Sequence, residues 1–215
     1  MRVVKDAEDR KNEILDVAQE LFSVNGFDAT STNDILERVK IARGTLYYHF
    51  KSKEDILDSL IDRITNEAME KSRSIASEKS IPLLDRLSLS IMALNIDTDI
   101  GHEVITQVHK PQNALMHQKM QQKLISGIVP IITELLVEGI EAGIFNTDYP
   151  EQAVEMAMLY SNIAFDDLQE MTPDLFQKKV SAFIYNTERL LGCEKGVMQQ
   201  AILRILMKEK GDGTI

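Results

Sequence analysis

The 215-residue chain has one cysteine, no tryptophan, five prolines and ten glycines, and each shortage narrows what it can be. Cys193 alone cannot form an internal disulfide, so the fold is expected to hold without an oxidising compartment. So few breakers leave long periodic stretches, which favours helices over a turn-rich sheet protein. No apolar run approaches the ~18 residues of a membrane span, and the N-terminal MRVVKDAEDRKNE lacks the apolar core of an export signal. The expectation is a cytoplasmic protein with no membrane partner. Catalytic signals are missing too. No Gly-rich phosphate loop follows a strand, and no Ser-His-acid or Cys-His set stands out among four histidines. Neither an enzyme nor a cofactor is expected. His102 and His109 share a helix face but lie two turns apart, and no spacing matches a metal motif, so no metal is expected either.

Positive charge is unevenly scarce. The formal net charge is −10, and the 54 residues from Leu124 to Gln177 contain ten acids and no Lys or Arg. That stretch reads as a solvated acidic surface, or as a rim that attracts a cation. In either case nucleic acid should be repelled there. Residues 38–53, RVKIARGTLYYHFKSK, are the opposite: five Lys or Arg and no acid. Such a basic island suits a surface that meets an anionic polymer.

Periodicity divides the chain into nine or ten helices with no convincing strand. The first is expected from about Asp9 to Asn25, with Gly26 as a left-handed cap and Phe27 folding back on the last turn. Ser31 and Asp34 signal a cap for a short second helix, and Ala42 to Phe50 form a third. Ser52 and Asp55 open a long fourth helix with Ile56, Leu57, Leu60, Ile61 and Ile64 inward. Further helices are expected from Pro82, from Ile100 to His109, and from Gln112 to Ala142 with a kink at Pro130. Asp148 should cap the next, to about Gln169. Thr172 and Pro173 open one to Leu191, and Lys195 to Lys210 form the last.

In the third helix, Leu46 and Phe50 lie about 40° apart and are the only large apolar residues suited to a core. Gly44 and Tyr48 point away from them, with Arg43 and Tyr47 on one shoulder and Thr45 and His49 on the other. Two short helices joined by a tight turn, the second with a polar outer face, describe a helix-turn-helix whose second helix enters the major groove. Arg43 can donate twice to guanine, and the Thr45 methyl can pack on thymine. Tyr48, His49 and Lys53 suit phosphates, as does the start of the second helix near Thr32 and Asn33.

At these residues the chain resembles the tetracycline-repressor (TetR) family of bacterial transcription regulators. The likeness lies in GTLYYHFKSKEDIL, Gly44 to Leu57, and in ILDVAQELFSVNGFDATS, Ile14 to Ser31. EGIEAGIFNTDYPEQA, Glu138 to Ala153, looks like the family's junction between its seventh and eighth helices. The resemblance implies an all-α protein with a three-helix DNA-binding domain, residues 1–52, and a larger helical effector-binding and dimerisation domain, residues 53–215. It implies a homodimer on a palindromic DNA operator, released by a small-molecule effector. Thr32, Asn33, Arg43, Thr45, Tyr47, Tyr48, His49 and Lys53 match family positions that touch DNA, and Gly44 lets the backbone approach it. Two residues depart from the pattern. Lys40 stands where the family usually has Gly, and Ala42 where it often has a capping Ser or Thr.

The family dimerises through its last two long helices. Met156 and Tyr160 in the first, with Phe176, Val180, Phe183, Ile184, Thr187 and Leu191 in the second, are the expected interface. Burial within one subunit would explain the same stripes. The expected pocket gathers His102, Ile105, His109, Met116, His117, Met120, Met158, Asn162 and Phe165, which core packing would equally explain. The acidic stretch points to a cationic or amphipathic effector. The residues leave the operator sequence and the regulated genes open, and an activator or a non-responsive DNA-binding protein would use the same reading helix.

Overall fold

The first helix begins where Asp6 accepts a hydrogen bond from the Ala7 amide, and α1 runs Ala7–Asn25. The computed structural model describes residues 6–94, 113–165 and 171–209. The remaining helices are α2 Thr32–Val39, α3 Arg43–His49, α4 Lys53–Ser77, α5 Leu83–Met92, α6 Ala114–Glu141, α7 Pro150–Ala164, α8 Pro173–Leu191 and α9 Gln199–Glu209. Among the described residues these nine helices are accompanied by no strand. The all-α expectation therefore stands. The helix expected from Ile100 to His109 lies outside the described residues.

The chain forms two compact units, and the division falls inside two helices, between Asn66 and Glu67 in α4 and between Lys123 and Leu124 in α6. In the first unit, Ile14, Leu15, Ala18 and Phe22 of α1 are buried with Ile35 of α2, Leu46 and Phe50 of α3, and Ile56, Leu57 and Leu60 of α4. Polar bonds join the same helices. Arg63 donates to Asp16 at 2.8 Å and to Gln19 at 3.0 Å, tying α4 to α1, and Arg38 of α2 pairs with Glu20. Lys119 meets Asp58 at 2.5 Å and Lys123 meets Asp62 at 2.8 Å, two rungs one helical turn apart between α6 and α4. In α4 the inward row is corrected at one place. Ile64 is half-buried, and Thr65 is buried instead, its hydroxyl returning to the Ile61 carbonyl at 2.8 Å.

The second unit is built on Ile128, Ile131, Ile132, Leu135 and Leu136 of α6, packed with Phe145, Val154, Phe165, Val180, Phe183, Leu191 and Ile202. There α9 packs along α5 and touches α8. Pro130 stands inside α6, which continues on both sides of it. Gly143 ends α6 in a complete Schellman motif, with Gly143 N–H on Ile140 and Ile144 N–H on Gly139.

Two caps and two helix bounds differ from expectation. Gly26 has φ 88° and ψ 157°, an extended glycine conformation and not the left-handed helical one. Phe27 nevertheless folds back, its ring 5.3 Å from that of Phe22. The left-handed cap expected there appears one helix later, where Lys40 adopts that conformation and Ile41 N–H reaches Leu36. Asp148 does not cap α7. Tyr149 occupies the cap position without a side-chain bond, and α7 ends at Ala164 with Phe165 non-helical, short of Gln169. The last helix starts at Gln199 and not at Lys195.

Candidate nucleic-acid interface

The helix pair α2–turn–α3 is held from both ends. Ser31 and Asp34 form a reciprocal capping box at the start of α2, the Ser31 amide meeting Asp34 at 2.7 Å and the Asp34 amide meeting Ser31 at 3.2 Å. The Ser31 amide first, and the Ser31 hydroxyl at 2.8 Å second, donate to the Asp34 carboxyl and hold it below its usual range. Ser52 accepts from the Asp55 amide at 3.1 Å and sets the start of α4. Between them the turn passes through Lys40 at φ 60° and ψ 47°, the only non-glycine residue with positive φ among those described. A side chain there costs about 1–2 kcal/mol relative to glycine, so the departure at Lys40 is a local strain. Ala42, extended at φ −73° and ψ 149°, precedes α3 and provides no side-chain cap.

Burial divides α3 cleanly. Leu46 is 1% and Phe50 2% exposed, whereas Tyr48 is 78% and Tyr47 47% exposed. Arg43 and Gly44 are exposed, and Thr45 and His49 are half-buried on the flanks. A Cβ on Gly44 would meet nothing within 4 Å, so neither space nor packing in this chain demands glycine there. The Tyr48 and His49 rings meet edge to face at 5.0 Å.

The remaining expected positions lie on the same side or beside it. Asn33 is exposed and Thr32 half-buried at the first turn of α2. Arg43 Nη2 donates to Asn33 Oδ1 at 3.1 Å. Lys53 is occupied: its ammonium donates to the Phe27 carbonyl at 2.7 Å and lies 4.2 Å from the centre of that ring. Two further cations of the basic run flank α3. Lys40 and Lys51 are exposed at the two ends of α3, and neither has an ion pair among the described residues. Both lie inside the basic run of residues 38–53, and Lys40 is also the residue that departs from the family's usual glycine.

The expected pocket is not brought together in one unit. Met116, His117 and Met120 belong to the first unit, and Met158, Asn162 and Phe165 to the second. His102, Ile105 and His109 lie outside the described residues. Phe165 is buried in an aromatic trio, 5.6 Å from Phe183 and 6.5 Å from Tyr160. A hollow of about 360 Å³ between α5 and α9, lined by residues including Leu84, Asp85, Gln200 and Arg204, shares no residue with the expected pocket. Cys193 is half-buried, and burial first and Glu188 second push its thiol upward in pKa.

The expected interface also divides. Val180, Phe183, Thr187 and Leu191 are buried within the second unit, and Phe176 and Ile184 are half-buried. These belong to the subunit's own packing. Met156 and Tyr160 are exposed, and they continue into Leu159 and Ile163 on the same face of α7.

The family model described as "Bacterial regulatory proteins, tetR family" matches residues 14–60. Another, "Tetracyclin repressor-like, C-terminal domain", matches residues 97–186. An uncharacterized HTH-type transcriptional regulator of Bacillus subtilis is 25% identical over 181 residues, covering 82% of this chain and 93% of that one. The fatty acid metabolism regulator protein of Bacillus subtilis is 29% identical over 137 residues, 61% of this chain and 68% of its own. Among solved structures, SmeT, the repressor of the Stenotrophomonas maltophilia multidrug efflux pump SmeDEF, aligns with a TM-score of 0.61 at 19% identity. It covers 87% of this chain and 92% of its own, a likeness of fold.

Proposed function

The chain belongs to the TetR family of bacterial transcriptional regulators, and on that premise we propose that it is a repressor released from DNA by a small molecule. One observation carries the DNA-binding part. A short helix buries Leu46 and Phe50 and turns Arg43, Gly44, Tyr47 and Tyr48 outward in a window free of acids. In this reading α3 lies in the major groove, where Arg43 reads guanine and Thr45 a thymine methyl. Thr32 at the start of α2 meets phosphate with His49, Tyr48 and the remaining Lys53 donor, and Lys40 and Lys51 extend that contact, while Asn33 lies against Arg43.

The DNA-binding domain is taken as residues 1–52 and the effector and dimerisation domain as residues 53–215. A second copy covers the α7 face of Met156, Leu159, Tyr160 and Ile163, and the dimer presents two reading helices to a palindromic operator. The effector is an amphipathic apolar molecule. Glu138, one of the ten acids of the Lys- and Arg-free stretch, is already neutralised by Arg86 and Lys79, which weakens the case for a cation. The fatty acid metabolism regulator among the relatives favours the amphipathic choice. Release is a population shift: the effector binds better to the state whose reading-helix spacing does not fit DNA, acting through α4, which carries residues of both units.

Duplexes selected from a random pool provide the test. A two-fold symmetric motif is expected, and long-chain acyl compounds should raise the melting temperature and release the selected duplex in a gel shift. Stabilisation by anions lacking an apolar chain, or stabilisation without release, contradicts the reading.

A further inference from the structure

Asn33 and Arg43 stand at the starts of successive helices, and the bond between them crosses the turn of the reading head. Its polarity is set by chemistry. A guanidinium has donors only, so the Asn33 amide must turn its oxygen to Arg43 and its NH2 group away. Arg43 opens α3, where the helix dipole disfavours a cation and Ala42 offers no cap. The Asn33 oxygen offsets that with a partial charge. A carboxylate in its place would orient the guanidinium but cancel the charge that DNA attracts.

Both groups have fixed supports. The Ser31–Asp34 capping box brackets Asn33, and Ile35 anchors the same turn at full burial. Arg43 sits one turn before the buried Leu46, and it has no ion-pair partner among the described residues. Of its five donors, the bond to Asn33 at 3.1 Å takes one. A parallel pair is left for the O6 and N7 acceptors of one guanine.

We propose that Asn33 is a positioning residue for Arg43, so that α2 aims the guanidinium of α3 and the two helices read one base pair together. The inference rests on the reading-head assignment above. It differs from a simple phosphate contact by Asn33 in what it predicts. A phosphate contact contributes equally on every sequence, whereas an aiming contact contributes to the preference at one position.

The experiment is a set of binding titrations on the duplex selected by the wild-type protein and on its single-base-pair variants, at several salt concentrations. The proteins are wild type, Asn33→Ala, Asn33→Asp, Arg43→Ala and the Asn33→Ala/Arg43→Ala double variant, each with a thermal melt. Arg43→Ala should lose about tenfold or more of the preference at one base pair per half-site. Asn33→Ala should lose most of the preference at that same base pair with little change in salt slope, and the double variant should lose no more than Arg43→Ala alone. Asn33→Asp should keep the preference while binding every duplex more weakly. If Asn33→Ala keeps the preference and instead weakens all duplexes with a shallower salt slope, the aiming role is overturned and the reading head stands. If Arg43→Ala changes no base preference, the reading-head assignment itself fails, and this proposal with it.

Discussion

Arg86, 3% exposed, grips Glu138 with two prongs: Nη1 reaches one carboxylate oxygen at 3.0 Å and Nη2 pairs with the other. Its other donors go to backbone, Nη1 also to Ala76 at 2.9 Å and Nε to Ile81 at 3.1 Å. One buried side chain thereby ties the end of α4, the loop after it and the last turn of α6. Lys79 adds a third contact to Glu138 at 2.5 Å. The Arg86 bonds first, and the Lys79 bond second, hold the Glu138 carboxyl down to about 2 from an ordinary 4.5.

Glu138→Gln should therefore destabilise the second unit. It leaves a buried guanidinium without its countercharge, which is expected to cost about 2 kcal/mol, less than for a fully buried pair because Glu138 is partly open to water. The pH dependence has a definite sign. A carboxyl whose pKa falls on folding contributes stability that is complete above its unfolded value near 4.5 and is lost as the pH falls toward 2. Thermal melts across that window should show the wild-type protein losing stability more steeply than Glu138→Gln. Parallel curves would show that the pair contributes nothing.

Gly192 and Gly143 both have positive φ, 62° and 73°, yet alanine should affect them very differently. A Cβ on Gly192 would come 1.9 Å from the Asn146 carbonyl oxygen, while one on Gly143 meets nothing within 4 Å. The Asn146 backbone cannot move away freely, since its amide donates to Leu191 at 2.9 Å. Gly143→Ala should cost only the left-handed strain, about 1 kcal/mol, and Gly192→Ala roughly 3 kcal/mol or more. Denaturant unfolding of the two variants measures the difference, and equal costs would contradict it.

The turn of the reading head is open to improvement. Lys40→Gly relieves the left-handed strain but gives back part of that gain through the freer unfolded chain, leaving a net stabilisation of about 0.5–1 kcal/mol. Ala42→Ser adds the missing cap to α3 and should contribute about 1 kcal/mol. Because Lys40 is exposed beside α3 with no ion pair among the described residues, Lys40→Gly should also weaken DNA binding modestly and flatten its salt dependence, whereas Ala42→Ser should leave that slope unchanged. Melting curves and salt titrations separate the two effects. A destabilised Lys40→Gly would show that the turn is not strained.

The reading helix was legible because its clues are local. Leu46 and Phe50 share one face, and the charges around them come from neighbouring residues. Helix caps were legible where a Ser or Thr could bond its own turn, as at Ser31, Ser52 and Thr172. They were not where the backbone conformation decides, as at Gly26 and Tyr149. The stripe of Val180, Phe183, Thr187 and Leu191 illustrates a different ambiguity. Periodicity reports that a face is buried but not which partner buries it, and here it is the subunit's own core. The same ambiguity governs Phe165, which packs with Tyr160 and Phe183. The Asn33–Arg43 bond joins two helices across a turn, a relation no helical period carries.

The central claim is that the outward face of α3 holds DNA, and the double variant Tyr47→Ala/Tyr48→Ala tests it most directly. Both rings are exposed, at 47% and 78%, so their removal should shift the melting temperature by only a few degrees. Fluorescence anisotropy on the duplex selected by the wild-type protein should then show affinity lower by about tenfold or more. Unchanged affinity and salt dependence in a folded double variant would place the DNA-binding surface elsewhere on the protein.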